Sequence, residues 1–255
     1  MTDAATMVRR DLRHTLRNPG AMIMTIGMPV VLLLLFVGVL GGALNAGFGP
    51  AAHGSGYIDY VVAGILLMTV GYGSTTTALA VNRDMTSGII ARFRTMAISR
   101  ASVLTGHVVG STARTLVGAG LVVGAAMLLG LRLAGNPLRW LAAAGLLALL
   151  TLALTWFGVA VGLAARTAEG TAPFTLVVQI LPFLSSAFVP PGSMSGPVRW
   201  FAAHEPFTPI TDTLRGLLLG TPLDDRGLVA VAWCAGLALA GYLWARALFR
   251  RDPVR

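Results

Sequence analysis

There is no lysine among the 255 residues of this chain; all nineteen of its basic side chains are arginine. That absence excludes chemistry. A P-loop nucleotide site needs a lysine to reach the β- and γ-phosphates, and a Schiff-base enzyme needs one as its nucleophile. Charge of either sign is scarce: 11% of residues are charged, against roughly 25% in a soluble domain. A single cysteine, Cys234, sits in an apolar run. It has no partner for an intrachain disulfide, and a buried small hydrophobe is its expected role. Enzyme patterns are missing too. No HExxH motif is present, and no pair of aspartates falls inside an apolar run. His53 and Ser55 share a glycine-rich loop, whereas His107 lies near the opposite membrane face. No metal site and no catalytic residue is expected.

What the chain has in abundance is apolar sequence, 55% of its residues, and it comes in blocks. Blocks of about 20 apolar residues match a hydrocarbon layer of about 30 Å at 1.5 Å per residue. Six fit, at about 21–44, 58–81, 103–131, 140–165, 171–190 and 228–249. Each must satisfy its backbone hydrogen bonds within the bilayer, so each is expected to be a helix. The expectation is an all-α integral membrane protein, a single domain over 1–255 with six transmembrane helices. The first apolar run is too long for the core of a cleavable signal.

The net charge of +9 is distributed as membrane topology rather than as a nucleic-acid surface. Thirteen arginines fall before the first span, between the second and third, between the fourth and fifth, and at the end of the sixth or after it. The other connections hold five: Arg132, Arg139, Arg199, Arg215 and Arg226. The positive-inside rule therefore puts both termini in the cytoplasm. Arg114 falls within the third span and is expected to snorkel to the cytoplasmic headgroups.

Three segments outside the spans have character of their own. In 4–18, Ala4, Val8, Leu12 and Leu16 recur every fourth residue opposite arginines, as in an amphipathic elbow helix lying on anionic lipid. The external stretch 190–227 mixes prolines with apolar runs too short to span. Two short helices are expected there, at about 197–204 and 209–219, the second opening on Thr208-Pro209 and closing at Gly220. Asp212 and Arg215, three apart, are placed to pair. The cytoplasmic segment "RDMTSGIIARFRTMAISR", 83–100, is longer than an inter-span turn requires. Wound as a helix, Met85, Ile89, Ile90, Phe93, Met96 and Ala97 fall within an arc of about 140°. Such a helix suits either the lipid surface or the groove of a partner, and sequence alone leaves the two even. Polar uncharged residues mark the second span (Thr69, Tyr72, Thr76) and the fifth (Gln179, Ser185, Ser186). They serve as helix–helix contacts or as a pathway for an amphipathic cargo.

Taken in order, these segments resemble the permease subunits of type-2 ATP-binding-cassette exporters, closest to the daunorubicin-resistance branch. The resemblance rests on Arg17-Asn18-Pro19 ahead of the first span, then Arg83-Asp84, Gly88, Arg92 and Ser99-Arg100. Later come Phe188-Val189-Pro190, Pro206-Phe207-Thr208, and Asp212 with Arg215-Gly216-Leu217-Leu218 and Gly220. Two positions depart from it: Ala97-Ile98 replaces a proline-containing pair, and Glu205 stands where asparagine is usual. The resemblance implies a multi-pass permease of the bacterial plasma (inner) membrane, a homodimer or pseudo-dimer surrounded by lipid. Each copy would rest on a separate cytoplasmic ATPase that binds ATP and Mg2+. This chain would then carry no cofactor and be no enzyme by itself. It would export an amphipathic drug, antibiotic or lipid-like molecule.

Under that resemblance 83–98 is the coupling helix, with Arg83, Asp84, Met85, Gly88, Ile89, Arg92, Phe93, Arg94 and Arg100 facing the ATPase. The polar residues of spans two and five line the cargo pathway. Phe188, Pro190, Trp200, Phe207, Asp212 and Arg215 form an external gate. The alternatives are a membrane scaffold or assembly factor, an ion-coupled carrier and an intramembrane enzyme. A gene for a P-loop ATPase next to this one would favour the exporter.

The arginine asymmetry makes a topological prediction. A cysteine at Ser193, in a Cys234→Ala background, reacts with an impermeant thiol reagent in intact cells. Labelling only after lysis would reverse the orientation.

Overall fold

The computed structural model describes residues 27–42, 56–86, 100–134, 136–222 and 225–251. The expected elbow helix and most of the expected coupling segment lie outside these ranges. The described residues form eight α-helices and no strand. They are α1 (Met28–Leu34, continued by a π-helical turn Leu35–Val39), α2 (Tyr57–Thr86), α3 (Arg100–Leu128) and α4 (Pro137–Ala164). There follow α5 (Ala172–Ile180), α6 (Gly196–His204), α7 (Phe207–Leu219) and α8 (Arg226–Arg251).

Local sequence sets the boundaries. Pro137 opens α4 behind Asn136, whose side chain accepts the Arg139 N–H at 3.0 Å, satisfying one of the donors orphaned at a helix start. Gly220 closes α7 at φ 72°, a left-handed position where a Cβ is penalised. Four helical segments are long and apolar enough to cross a membrane: α2, Val108–Leu128 of α3, α4, and Arg226–Leu248 of α8. Two shorter apolar segments, Met28–Val39 and Glu169–Leu184, lie within the spans expected first and fifth. The fifth is short because Pro182 has no N–H to continue the helix. The chain tightens there into a 3₁₀ turn, Leu181–Leu184, and then leaves helical geometry at Ser185.

The helices alternate in direction around α2. The end where α2 begins also holds the end of α3, because the Ala134 N–H donates to the carbonyl of Leu218 in α7. It holds the start of α8 as well, through an Arg226–Asp212 ion pair. At the other end of α2, the Asn82 amide donates to the carbonyls of Ala165 (2.6 Å) and Gly162 (3.4 Å). These belong to the last turn of α4, where carbonyls have no helical partner.

Helix α2 is the axis, with 94% of its apolar window buried inside the protein. It meets α4 almost backbone to backbone. A Cβ on Gly158 would sit 2.5 Å from the Ser74 carbonyl oxygen, and one on Gly162 would sit 2.5 Å from that of Ala78. Small residues at such crossings allow the close approach on which helix association in lipid depends. The α2–α3 contact is polar as well as apolar: Thr77 hydrogen-bonds Ser111, which also accepts from Arg114 at 3.3 Å. The half-buried Arg114 guanidinium thus reaches a neighbour on its own helix. By contrast α8 is peripheral, with only 22% of its window covered. Leu228, Leu239 and Leu243 of α8, and Val117, Leu121 and Leu128 of α3, are exposed. An apolar belt of this kind is at home only in hydrocarbon.

Gly162→Ala forces the α2–α4 crossing apart and lowers stability by about 1–3 kcal/mol, the usual cost of overpacking. Gly145→Ala, whose Cβ would meet nothing within 4 Å, is neutral or stabilises by up to about 1 kcal/mol. Fluorescence-detected size exclusion after heating in detergent ranks the two, and equal melting would refute the close-packing account.

Candidate functional site

Where α5 breaks, the chain at 185–188 remains inside the protein: Ser185, Ser186, Ala187 and Phe188 are all buried. Backbone that is neither helix nor sheet at such depth must find other hydrogen-bond partners. The first are local. The Ser185 hydroxyl donates to the Pro182 carbonyl at 2.7 Å and accepts from the Ala187 N–H at 3.1 Å.

The rest come from other helices. Tyr60 of α2 donates its hydroxyl to the Ser186 carbonyl at 2.8 Å, and Tyr57 donates to the Phe188 carbonyl at 3.3 Å. The Ser186 N–H donates to the Thr208 hydroxyl of α7 at 3.0 Å. The Ser186 hydroxyl donates to Asp212 at 2.7 Å.

At the centre is Arg215 of α7. Its Nη2 donates to the Ser186 carbonyl at 2.9 Å and to the Tyr60 carbonyl at 3.2 Å; Nε reaches the same Tyr60 oxygen at 3.3 Å. Nη1 pairs with Asp212 at 3.1 Å, and the guanidinium carbon lies 3.8 Å from the centre of the Tyr60 ring. The planar fork of arginine serves several acceptors at once, which a single ammonium cannot. Asp212 completes the cluster with its second oxygen, 2.8 Å from the exposed Arg226 of α8. One carboxylate and two guanidiniums thus tie α2, the broken end of α5, α7 and α8 together.

Aromatic rings cover the cluster's apolar side. Phe188 stacks on Phe183 (4.6 Å between centroids, 16° between planes) and on Phe36 of the π turn (4.9 Å, 24°). Both pairs have the near-parallel geometry that favours aromatic contact. Below Ala187, a Cβ on Gly64 would stand 2.9 Å from the Ala187 carbonyl oxygen, so glycine makes the seat.

Glu205 shapes the start of α7. Its carboxylate is buried and accepts the backbone N–H groups of Phe207 (2.7 Å) and Thr208. This is the service an asparagine performs at a helix start, which explains how glutamate replaces the residue expected there. Burial pushes the Glu205 carboxyl above its ordinary range, and the hydrogen bonds from Phe207 and Thr208 oppose the shift in part.

Of the residues expected to gate, Phe188, Asp212 and Arg215 meet in this cluster, and Phe207 is buried beside it. Pro190 precedes the 3₁₀ turn Pro191–Ser193. Trp200 stands apart on α6, largely exposed and stacked on His204 at 4.7 Å. Of the expected pathway residues, Ser185 and Ser186 lie in the broken segment, and Gln179 is half-buried on α5. Thr69 and Thr76 bond carbonyls of their own helix at 2.8 Å, and Tyr72 is buried in the core. Arg83, Asp84 and Met85 form the last turn of α2, and Arg100 opens α3. Gly88, Ile89, Arg92, Phe93 and Arg94 lie outside the described residues.

Sequence inspection did not single out Tyr57 or Tyr60, and it took Thr208 only as part of a helix start and a motif and Arg226 only as a charge. The paired tyrosines at the head of an apolar run were a weak signal, since aromatic residues at membrane boundaries are commonplace.

The ABC-2 type transporter family matches residues 2–219. A daunorubicin resistance ABC transporter permease protein of Streptomyces coeruleorubidus is 28% identical over 234 residues, covering 88% of this chain and 81% of the relative. A protein of Mycobacterium tuberculosis named a probable doxorubicin resistance ABC transporter permease is 28% identical over 210 residues, 82% of this chain and 76% of that one.

The cap at Glu205 is open to measurement. Glu205→Ala strips the start of α7 of its acceptor and costs about 1 kcal/mol, while Glu205→Asn costs less. Because the folded protein holds the Glu205 proton more tightly than the unfolded one, stability falls as pH rises between the ordinary and the raised carboxyl value. Above that window this group contributes no further slope. Thermal melting against pH should show the fall in the wild type and its loss in Glu205→Gln; parallel curves would contradict the burial effect.

Proposed function

Because this chain belongs to the ABC-2 type transporter family, we propose that it is the membrane permease of an ATP-driven drug exporter. In this proposal it has six spans, with α1 and the broken α5 crossing alongside the four longer helices, and both termini are cytoplasmic. The alternating helix directions and the arginine distribution support this topology. The cargo is an amphipathic drug, antibiotic or lipid-like molecule, in keeping with the drug-resistance names of the relatives. Energy comes from a separate nucleotide-binding ATPase, because a chain without lysine lacks the phosphate-binding residue of a P-loop. The permease pairs with a second copy in a bacterial plasma membrane, and cargo leaves along the seam between them.

The observation that carries the proposal is the family match over most of the chain. The segment at 83–98 is the coupling helix. Met85, Ile89 and Phe93 fill a groove on the ATPase, and the arginines meet acidic groups at its rim. The external gate lies at the opposite end, around Phe188, Asp212 and Arg215.

Two substitutions test the coupling. Truncating a central buried aromatic at an interface costs about 2 kcal/mol or more, roughly thirtyfold in affinity. Phe93→Ala therefore releases the ATPase during co-purification in detergent or uncouples its hydrolysis from export, with the permease still inserted. Arg94→Ala is milder and more salt-sensitive, as rim charges are. If ATPase recovery and coupled export are both unchanged in Phe93→Ala, the helix lies on lipid instead and the coupling assignment fails.

A further inference from the structure

We infer that Tyr57 and Tyr60 are positioning residues for export: their hydroxyls latch the segment Ser185–Phe188 into its seat on α2, and the segment unseats and reseats during the transport cycle. The inference rests on the exporter function proposed above and identifies the part of the outer end that moves.

The nature of the bonds carries it. At the outer end α7 is held chiefly by a continuous apolar face, with polar links beside it. Helix α7 is buried at ten of its thirteen positions, and Ile210, Leu214, Leu217 and Leu218 belong to the main core. Moving α7 would expose that whole face. The segment 185–188 shares that core through Ala187 and Phe188, but its backbone is held by side chains of other helices. Backbone carbonyls at Ser186 and Phe188 accept from tyrosine hydroxyls on α2, and Ser186 accepts also from Arg215. Each is a bond between side chain and backbone across helices, so water can replace each in turn without unwinding any helix. The segment has already left helical geometry at Ser185, so its departure breaks no helical ladder. Its seat is smooth, since Gly64 presents no side chain beneath the Ala187 carbonyl.

The identity of the two residues points the same way. Phenylalanine would fill the same volume and stack as well; the hydroxyl is what tyrosine adds. Both hydroxyls, 131 and 126 residues from their acceptors in sequence, converge on one short segment. Phe188, between Phe36 and Phe183, is the apolar half of the latch. Parallel rings can slide past one another, so the Phe188 ring can leave its stack without breaking a side-chain hydrogen bond.

The test uses the full permease reconstituted with its ATPase. Ser185→Cys, in a Cys234→Ala background, places a thiol in a fully buried position. Its reaction with an impermeant maleimide is followed without nucleotide, during ATP turnover, and after vanadate trapping. Labelling is slow without nucleotide and accelerates severalfold during turnover. Adding Tyr60→Phe raises the nucleotide-free labelling by roughly three- to tenfold, the equilibrium shift of one ordinary hydrogen bond. Ala187→Cys repeats the measurement should the Ser185 variant fold poorly. Equal labelling in all nucleotide states, in a complex that hydrolyses ATP, overturns the inference. If the wild-type permease retains no ATPase, the exporter function itself fails. The latch is then judged on the nucleotide-free arm, where unchanged labelling in Tyr60→Phe refutes it.

Discussion

The polar cluster where α2 begins follows from one constraint: a peptide group sunk in a membrane bundle must be hydrogen-bonded by something. The chain leaves helical geometry at Ser185, after the 3₁₀ turn that holds Pro182, and the buried carbonyls of Ser186 and Phe188 take their donors from side chains of other helices. Arg215 answers that need most fully, because it carries donors enough to serve Ser186, Tyr60 and Asp212 together. Asp212, the tyrosines and Thr208 are then fixed by what Arg215 and the broken chain leave unsatisfied.

The rest of the bundle is built to hold α2 still. Helix α4 lies close against it at Gly158 and Gly162, and the Asn82 amide locks the far end by capping the last turn of α4. With lipid outside, no hydrophobic force drives one helix onto another, so close packing and polar contacts supply the cohesion. A rigid α2 matters at both ends. Its first turn carries Tyr57 and Tyr60, and its last carries Arg83, Asp84 and Met85. A single helix of 30 residues, about 45 Å long, thus joins the proposed ATPase contact to the proposed latch.

A division of labour follows from composition. A chain with no lysine and 11% charge has little with which to bind nucleotide, and much with which to sit in lipid. Among the described residues, Arg139, Arg199 and Arg215 bond backbone carbonyls. The similarity to the relatives extends over 81% and 76% of their length, so the likeness covers the scaffold as well as isolated motifs.

The membrane class, the long helices and the family were legible in the residues themselves, because apolar block length and arginine asymmetry are properties of sequence. The Asp212–Arg215 pair was legible too, being one helical turn apart. The breaks were not. Six apolar blocks look alike in sequence, yet α5 divides at Pro182 and α1 passes into a π turn at Leu35. Nor did any local pattern tell that Thr69 and Thr76 would spend their hydroxyls on their own helix while Tyr57 and Tyr60 would not. Those outcomes turn on contacts between residues 126 to 155 positions apart. The sequence by itself determined what solvent the chain lives in and where its long apolar helices fall. Only the tertiary structure decided which backbone groups would be left without a helical partner and which side chains would stand close enough to serve them.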